Sequence, residues 1–345
     1  MNIALDLGSM SFRTLRRTGA QLTARRLTAQ YISVPSHSPA AKLARKTGVS
    51  TNSAEGFELI VGDDAIEMSQ FVQAPLTPFL DGGKIPANDP IARQLIGSAL
   101  DALLPTITGE AGLCVLALPG GHLDLASNPE MDYLSRAIGL KNYTIMPLHA
   151  SLALGLAELG DSSFTGVALT LGASCCELSV IRYGVELAYA YLPMGGLWIE
   201  EQLAQKQSRF TFTPTGERFL DVLSVRNWMS SEQPNLHRPK SDEDKQLAEA
   251  FNQLLTQVED EMGTQLGHQS EALFGIGHPL PLIIGGGLTM LDGAAPMLMK
   301  RFRESFGPVV LSSARVVKHT PFTICRGCLI HAELERTYAQ SLNAA

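Results

Sequence analysis

The chain opens on an apolar run, Asn2-Ile-Ala-Leu-Asp-Leu-Gly, that reads as a short buried strand ending in a glycine turn. Ser9-Met-Ser-Phe-Arg-Thr-Leu continues it as the second strand of a hairpin. From Val34 to Ser53 small, polar and basic residues dominate, which predicts an inserted, loosely structured subdomain. Strand character returns from Phe57 to Gly62, and Asp63 is placed to cap a helix through Met68. Asn88-Asp-Pro then predicts the start of a helix over Ile91 to Leu104, whose apolar residues recur at helical spacing. An apolar strand from Leu113 to Leu118 runs into Pro119-Gly-Gly, followed by a helix from Pro129 to Ile138 and a strand from Tyr143 to Met146. Such strand-helix-strand alternation predicts a parallel sheet.

The second half restarts the pattern. A helix of small residues from Ala150 to Leu159 precedes Gly166-Val-Ala-Leu-Thr-Leu-Gly, again a buried strand running into a glycine turn. Two turns of this form, half a chain apart, point to an internal duplication. Ser230 to Asp244 is the most polar stretch and predicts a surface loop before a helix from Leu247 to Met262. Another apolar strand, Pro279 to Ile284, ends at Gly285-Gly-Gly, and Pro321 to Tyr338 reads as a closing helix.

Length and composition narrow the classes. At 345 residues the chain exceeds what one core supports, so two domains are expected. A content of 45% hydrophobic and 18% charged residues suits an ordered α/β protein with strands buried on both faces. A formal net charge of −7, with no basic cluster beyond Arg13, Arg16, Arg17, Arg25 and Arg26, argues against nucleic acid as a partner. Those arginines read as the solvated face of a hairpin, with an anionic membrane surface as the alternative. Strand residues follow Met1 at once, with acidic Asp6 among them, and no apolar stretch is long enough to span a bilayer. The five cysteines lie in apolar surroundings without zinc spacing, which fits reduced core thiols in a cytoplasm, and Cys325-x-x-Cys328 reads the same way rather than as a redox pair.

Three glycine turns at strand ends carry the candidate chemistry, at Gly8, Gly172 and Gly285 to Gly287. Without a Cβ, such turns let backbone N–H groups approach phosphate oxygens. With their order and context, the sequence resembles the actin-like ATPase superfamily of actins, heat-shock chaperone ATPases and sugar kinases, and MreB-type bacterial actins above all. The resemblance spans nearly the whole chain. Ala4-Leu-Asp-Leu-Gly-Ser-Met-Ser resembles the first phosphate loop, Gly172-Ala-Ser-Cys-Cys-Glu-Leu the second, and Ile284-Gly-Gly-Gly-Leu-Thr-Met the adenosine loop. Gly62-Asp-Asp-Ala, Leu80-Asp-Gly-Gly-Lys-Ile, Met194-Gly-Gly-Leu and the stretch Ile324 to Ala332 are similar to further family segments, and Gly216-Glu-Arg is similar to one that starts a helix whose Glu faces ribose or adenine.

The resemblance implies a duplicated α/β actin-like, ribonuclease H-like ATPase fold, with two domains flanking a nucleotide cleft. Domain I would span 1–147 with a small inserted subdomain at about 32–75. Domain II would span 148–345 with an insertion at about 200–265, and a final helix at about 321–338 would cross back to domain I. Gly8, Ser9, Met10, Ser11, Gly172, Ala173 and Ser174 would hold phosphates. Gly195, Gly196, Glu217, Gly285, Gly286, Gly287 and Leu288 would hold adenosine, and Asp6 would bind Mg²⁺ through water. ATP and Mg²⁺ are the implied cofactors.

Departures from the family pattern cut against hydrolysis. Thr170 stands where the second loop carries an acid, and Ala173, Ser174 and Cys175 replace two glycines and a threonine. No Glu or Gln follows Met146 to position the attacking water; His149, the one polar ring there, is the candidate to orient water or act as a weak base, with a structural role at the helix start as the alternative. Leu197 occupies the place of an Asp, and the expected Lys falls near Ser224. Two readings therefore stand: an ATP-binding cytoskeletal or cell-shape protein that assembles head to tail with itself, and a pseudo-ATPase scaffold. At most a slow ATPase is expected. Cytoplasmic placement, with the inner membrane face and a membrane-associated protein partner as its extension, completes the expectation.

Overall fold

A computed structural model describes residues 1–344 other than 50, 55, 121, 122, 124–127, 214, 215, 274, 275, 319 and 320, with side chains through 335. Gly121, in the turn expected after Leu118, thus lies outside the described residues. In chain order the first half runs β1 (Asn2–Gly8), β2 (Ser11–Thr18), β3 (Gln21–Thr28), β4 (Gln30–Pro35), α1 (Pro39–Thr47), β5 (Thr51–Ala54) and β6 (Phe57–Val61). It continues through α2 (Asp63–Val72), β7 (Thr77–Pro78), α3 (Pro90–Leu103), β8 (Gly112–Ala117), α4 (Pro129–Gly139) and β9 (Tyr143–Leu148).

The second half begins with α5 (Ala150–Glu158), β10 (Gly166–Leu171), β11 (Cys176–Arg182), β12 (Val185–Leu192), α6 (Gly196–Lys206), β13 (Phe210–Phe212) and β14 (Arg218–Leu220). Then follow α7 (Val222–Glu232), α8 (Asp242–His268), α9 (Ser270–Leu273), β15 (Leu280–Gly285), α10 (Ala294–Arg301), β16 (Ser305–Phe306), β17 (Val309–Val316) and α11 (Thr323–Ala344).

The duplication is visible in the ladders. In the first sheet, order β3-β2-β1-β8-β9, an antiparallel meander feeds two parallel strands. The second sheet repeats this as β12-β11-β10-β15-β17, with β16 added at the edge. Central strands β1 and β10 are buried along nearly their whole length, which is why both read as unbroken apolar runs.

Two helices lie between the sheets. α5 and α11 share a core with Ala4 and Val115 of the first sheet and with Ala168, Ile181 and Ile283 of the second. Their backbones almost touch: a Cβ on Gly327 would stand 1.8 Å from the carbonyl oxygen of Ala153. The spacing Cys325-x-x-Cys328 therefore serves a helix crossing, with Gly327 at the contact and both thiols buried beside it.

Several local expectations change. The described residues between Val34 and Ser53 are no loose insertion but part of an ordered unit, in which α1 and α2 pack on the sheet β5-β6-β4-β7. Ser38 caps α1 through its hydroxyl, and Gly48 closes it in the left-handed conformation. Asp63 does not cap α2; Gly62 takes that position, and Asp63 accepts a hydrogen bond from Thr28. Polar Ser230 to Asp244 is shortened from both sides, because α7 runs to Glu232 and Ser241 caps α8 by accepting from the Asp244 N–H. Gly216-Glu-Arg opens no helix. It lies at the β13–β14 turn, where Gly216 has φ +88° and Arg218 stacks on Phe210 at 3.5 Å. Among the described residues no helix is long and apolar enough to cross a membrane.

Candidate functional site

The turns that end β1 and β10 meet at the mouth between the two sheets, and the hydroxyls of Ser9 and Ser174 hydrogen-bond directly across it. Beneath this bridge lies a cavity of about 200 Å³. Asp6, Gly8, Ser9, Met10 and Ser11 line it from the first half, and Gly172, Ala173, Ser174, Gly285, Gly286 and Gly287 from the second. Eleven of the residues expected around a nucleotide are thus brought together. Two glycines there are obligatory. Gly286 has φ +106°, and a Cβ on it would fall 2.3 Å from the Leu171 carbonyl; on Gly172 it would fall 2.7 Å from the Cys175 carbonyl. Above Gly287 the space is open.

Strand register decides the electrostatics. The β1–β2 turn pairs Gly8 with Ser11, which sets Asp6 opposite Arg13. Arg13 Nη1 donates to Asp6 Oδ2 at 3.1 Å. Burial pushes the Asp6 carboxyl up from its ordinary value, while Arg13 pulls it down. Two atoms of β2 are left over: the Ser11 hydroxyl and the Arg13 Nε are buried without a hydrogen-bond partner, and both residues line the cavity. Arg13 is not part of the hairpin's solvated face; alternation from Ser11 carries it to the cleft side.

The same register in the second half pairs Thr170 with Glu177. Glu177 lines the cavity, is 1% exposed, and accepts from the Gly120 N–H at 2.8 Å and the Tyr189 hydroxyl at 2.9 Å. Burial raises its carboxyl above the usual range, and the Gly120 hydrogen bond opposes this. The cavity thus keeps a second acid, one strand over from Thr170 and contributed by the stretch that follows the second glycine turn. A count of turn offsets finds it: Leu171 pairs with Cys176, so Thr170 must face Glu177.

His149 does not reach the cavity. It precedes α5, stacks on Tyr189 with ring centres 3.6 Å apart, and its Nδ1 lies 2.7 Å from Glu186 Oε2. Ser179 donates to the other Glu186 oxygen and shares a hydrogen bond with Ser151. The imidazole is a strut beneath the Glu177 and Tyr189 contact, so the candidate base of the sequence analysis is displaced from the cleft.

A second cavity, about 190 Å³, adjoins the first across Met10, Gly172, Ala173 and Gly287, which line both. Gly196 and Leu288 line it as expected, together with Leu197 and Glu200. Gly195 sits beneath, where a Cβ would stand 2.5 Å from the Gly172 carbonyl. Glu217 lines neither cavity; the β13–β14 turn leaves it exposed. The buried acid at this end is instead Glu200, held by Arg226 at 2.6 and 2.9 Å, and Arg226 also reaches Gln30 Oε1 of the first half at 3.2 Å. Nothing in a glycine-turn pattern marks that pair.

Two duplicated sheets, crossing helices between them and paired strand-end turns around a central cleft define the actin-like class of two-domain proteins. Within it the chain belongs to the Volactin family, whose model matches residues 1–332. No curated protein matches it. Among solved structures it is similar to a MamK double helical filament at 15% identity, with 96% of this chain and 99% of that chain covered and a TM-score of 0.66. It is likewise similar to MreB5 of Spiroplasma citri bound to AMPPNP, at 12% identity, 99% and 98% coverage and a TM-score of 0.66. The ADP-bound form of that MreB5 gives 12% identity, 100% and 98% coverage and 0.64.

Proposed function

We propose that this protein binds ATP in the cleft between its halves, assembles head to tail into filaments as a cytoskeletal or cell-shape element, and hydrolyses the nucleotide slowly or not at all. The division at 147/148, with insertions at about 32–75 and 200–265, is part of this reading. One observation carries it: two adjoining cavities at the ends of β1, β10 and β15, walled by glycine turns, the first of them also lined by Ser11 and Arg13, whose hydroxyl and Nε are buried without a partner. Buried donors without partners are costly in a folded protein, and phosphate oxygens would satisfy both. Neither cavity alone has the several hundred Å³ of an ordinary ligand site, but the two in sequence approach it. MamK as a double helical filament and MreB5 bound to AMPPNP share the fold, which supports nucleotide and self-association as the first ligands to test.

Mg²⁺ fits less well than the nucleotide. Asp6 is engaged by Arg13, Thr170 offers a hydroxyl where the family has an acid, and Glu177 is tied to Gly120 and Tyr189. Among the described residues no three acidic, His or Cys side chains are grouped to hold a metal. This favours the hydrolysis-poor reading, since among the described residues both carboxylates that line the first cavity already have partners. A membrane-associated partner and placement at the inner membrane face remain part of the proposal through the resemblance alone.

Calorimetric titration of the purified protein with AMPPNP tests the binding, and sedimentation with negative-stain microscopy tests assembly. Saturable one-to-one binding of AMPPNP is expected, and with ATP in its place phosphate release below about one turnover per hour. No heat and no shift in melting temperature at millimolar nucleotide would overturn the reading in favour of a ligand-free scaffold.

A further inference from the structure

We propose that the cleft takes its phosphate-bearing ligand without a divalent cation, and that the Arg13 guanidinium supplies the positive charge. The inference rests on the nucleotide reading above and names the chemistry of that site.

The donors and acceptors facing the cavity divide unequally. Each of its carboxylates is engaged through one oxygen. Asp6 Oδ2 accepts from Arg13, and Glu177 Oε1 accepts from both Gly120 and Tyr189. A cation brought to Asp6 would meet a carboxylate that a guanidinium already neutralises, and Thr170, the equivalent residue of the second half, brings no charge. The donors are unspent. Guanidinium offers five N–H groups in a rigid fork, and here Nη1 anchors to Asp6 while Nε has no partner. Ser11, two residues earlier on the same face of β2, is 1% exposed and its hydroxyl has no partner either. A phosphate oxygen at this point completes both, and the guanidinium can bridge the Asp6 carboxylate and the phosphate by different edges. Asp6 is then a positioning residue for Arg13 rather than a holder of metal-bound water.

The test is titration of the full-length protein with AMPPNP, once in excess EDTA and once with millimolar MgCl₂, on the natural protein and on Asp6→Asn, Arg13→Leu and Arg13→Lys. Dissociation constants are expected to agree within about threefold with and without Mg²⁺. Arg13→Leu should weaken binding in EDTA by roughly tenfold or more, the scale of a lost charge-assisted hydrogen bond, with Arg13→Lys between the two. Asp6→Asn, which loosens the anchor of Arg13, should weaken binding less than Arg13→Leu does and by the same factor with and without Mg²⁺. Binding that EDTA abolishes and Asp6→Asn removes would overturn the inference in favour of a metal-bound nucleotide. Should Arg13→Leu fail to fold by circular dichroism, the EDTA comparison, Asp6→Asn and Arg13→Lys still decide. Inorganic tripolyphosphate in EDTA separates the two levels. If it binds in an Arg13-dependent way while AMPPNP does not, the nucleotide reading falls and this inference stands; if neither binds, both fall.

Discussion

Thr170 and Glu177 face each other across the β10–β11 ladder in the register in which Asp6 faces Arg13 across β1–β2. Duplication has placed one acid and one partner at each turn, but on opposite strands: acid on the central strand in the first half, on the neighbouring strand in the second. In the first half the acid is answered by a cation. Among the described residues Glu177 accepts from the neutral donors Gly120 and Tyr189, so its charge is expensive where it stands.

Replacement of Glu177 measures that cost. Gln keeps the oxygen that accepts from Gly120 and Tyr189, whereas Ala leaves both donors unpaired at about 1–3 kcal/mol each. Because burial raises the native carboxyl above the ordinary value of 4.5, the folded protein holds this proton more tightly than the unfolded chain. The stability this lends is complete below pH about 4.5 and is lost as pH rises through the native value. Glu177→Gln has no such loss, so its melting temperature should gain on the natural protein from pH 4 to pH 8. A difference independent of pH, or one that favours Glu as pH rises, would contradict the assignment.

Much of this arrangement is legible in the residues, and the illegible parts have physical causes. Buried central strands announce themselves as apolar runs, and their glycine turns follow from the close approaches at Gly172 and Gly286. The ordered unit around α1 was hidden because Pro39 to Thr47 is short and rich in small and basic residues, and its apolar face is only Ala41 and Ala44. Arg13 was hidden by its neighbours: Arg16 points to the other face of the strand, while Arg17 shares the face of Arg13 but lies four residues further from the turn, where it pairs with Glu333. Glu217 misled because a short motif carried an expectation of helix into a stretch that Arg218 and Phe210 hold as a hairpin. Glu200 and Arg226 come from two helices whose meeting no local pattern encodes.

Gly286 and Gly287 separate folding from binding. Ala at Gly286 meets both the Leu171 carbonyl and a φ of +106°, and should destabilise by roughly 2–4 kcal/mol. Ala at Gly287 meets no atom within 4 Å and should melt within about 2 °C of the natural protein. Its methyl group enters the space where the two cavities join, so AMPPNP affinity should fall several-fold. If Gly287→Ala binds normally, the ligand does not pass that point.

The helix crossing makes an equally sharp demand. Gly327→Ala must part α5 and α11, since no rotamer moves a backbone carbonyl 1.8 Å from the new carbon. A loss of at least about 3 kcal/mol is expected in urea unfolding. Ser at the same position should be no better. Cys328→Ala, which merely shortens a buried thiol, should cost less than half as much. Equal costs would mean that the sulfur, not the approach of the helices, fixes this crossing.

Ser174 spans the mouth of the cleft. Its hydroxyl meets Ser9 across the cleft and lies 3.0 Å from the Cβ position of Gly83, whose turn also accepts a hydrogen bond from Tyr191 at 3.3 Å. Ser174→Ala removes a bond worth about 1 kcal/mol, so the open form should be roughly threefold to tenfold more populated. AMPPNP association in stopped flow should quicken by that factor with little change in melting temperature. An unchanged association rate would place the barrier to entry elsewhere, at the contact of Glu177 with Gly120.

Thiol labelling reads the same opening directly. All five cysteines are buried, and desolvation pushes Cys114 and Cys176 up to about 12 and the other three well above their usual value. At pH 8 the native protein should therefore react with a disulfide reagent far more slowly than the urea-unfolded chain. The five are not equivalent. Cys175 alone lines the cavity, with its sulfur 3.9 Å from the Cβ position of Gly83, whereas Cys114, Cys176, Cys325 and Cys328 lie in packed strands and the helix crossing. Parting the turns by a few ångströms uncovers Cys175 without disturbing the rest. Mass spectrometry of briefly labelled protein should find Cys175 modified first, faster in Ser174→Ala and slower with AMPPNP bound. Simultaneous modification of Cys175 and Cys328 would mean that the reagent reaches the thiols by global unfolding, and that the two halves do not part on their own.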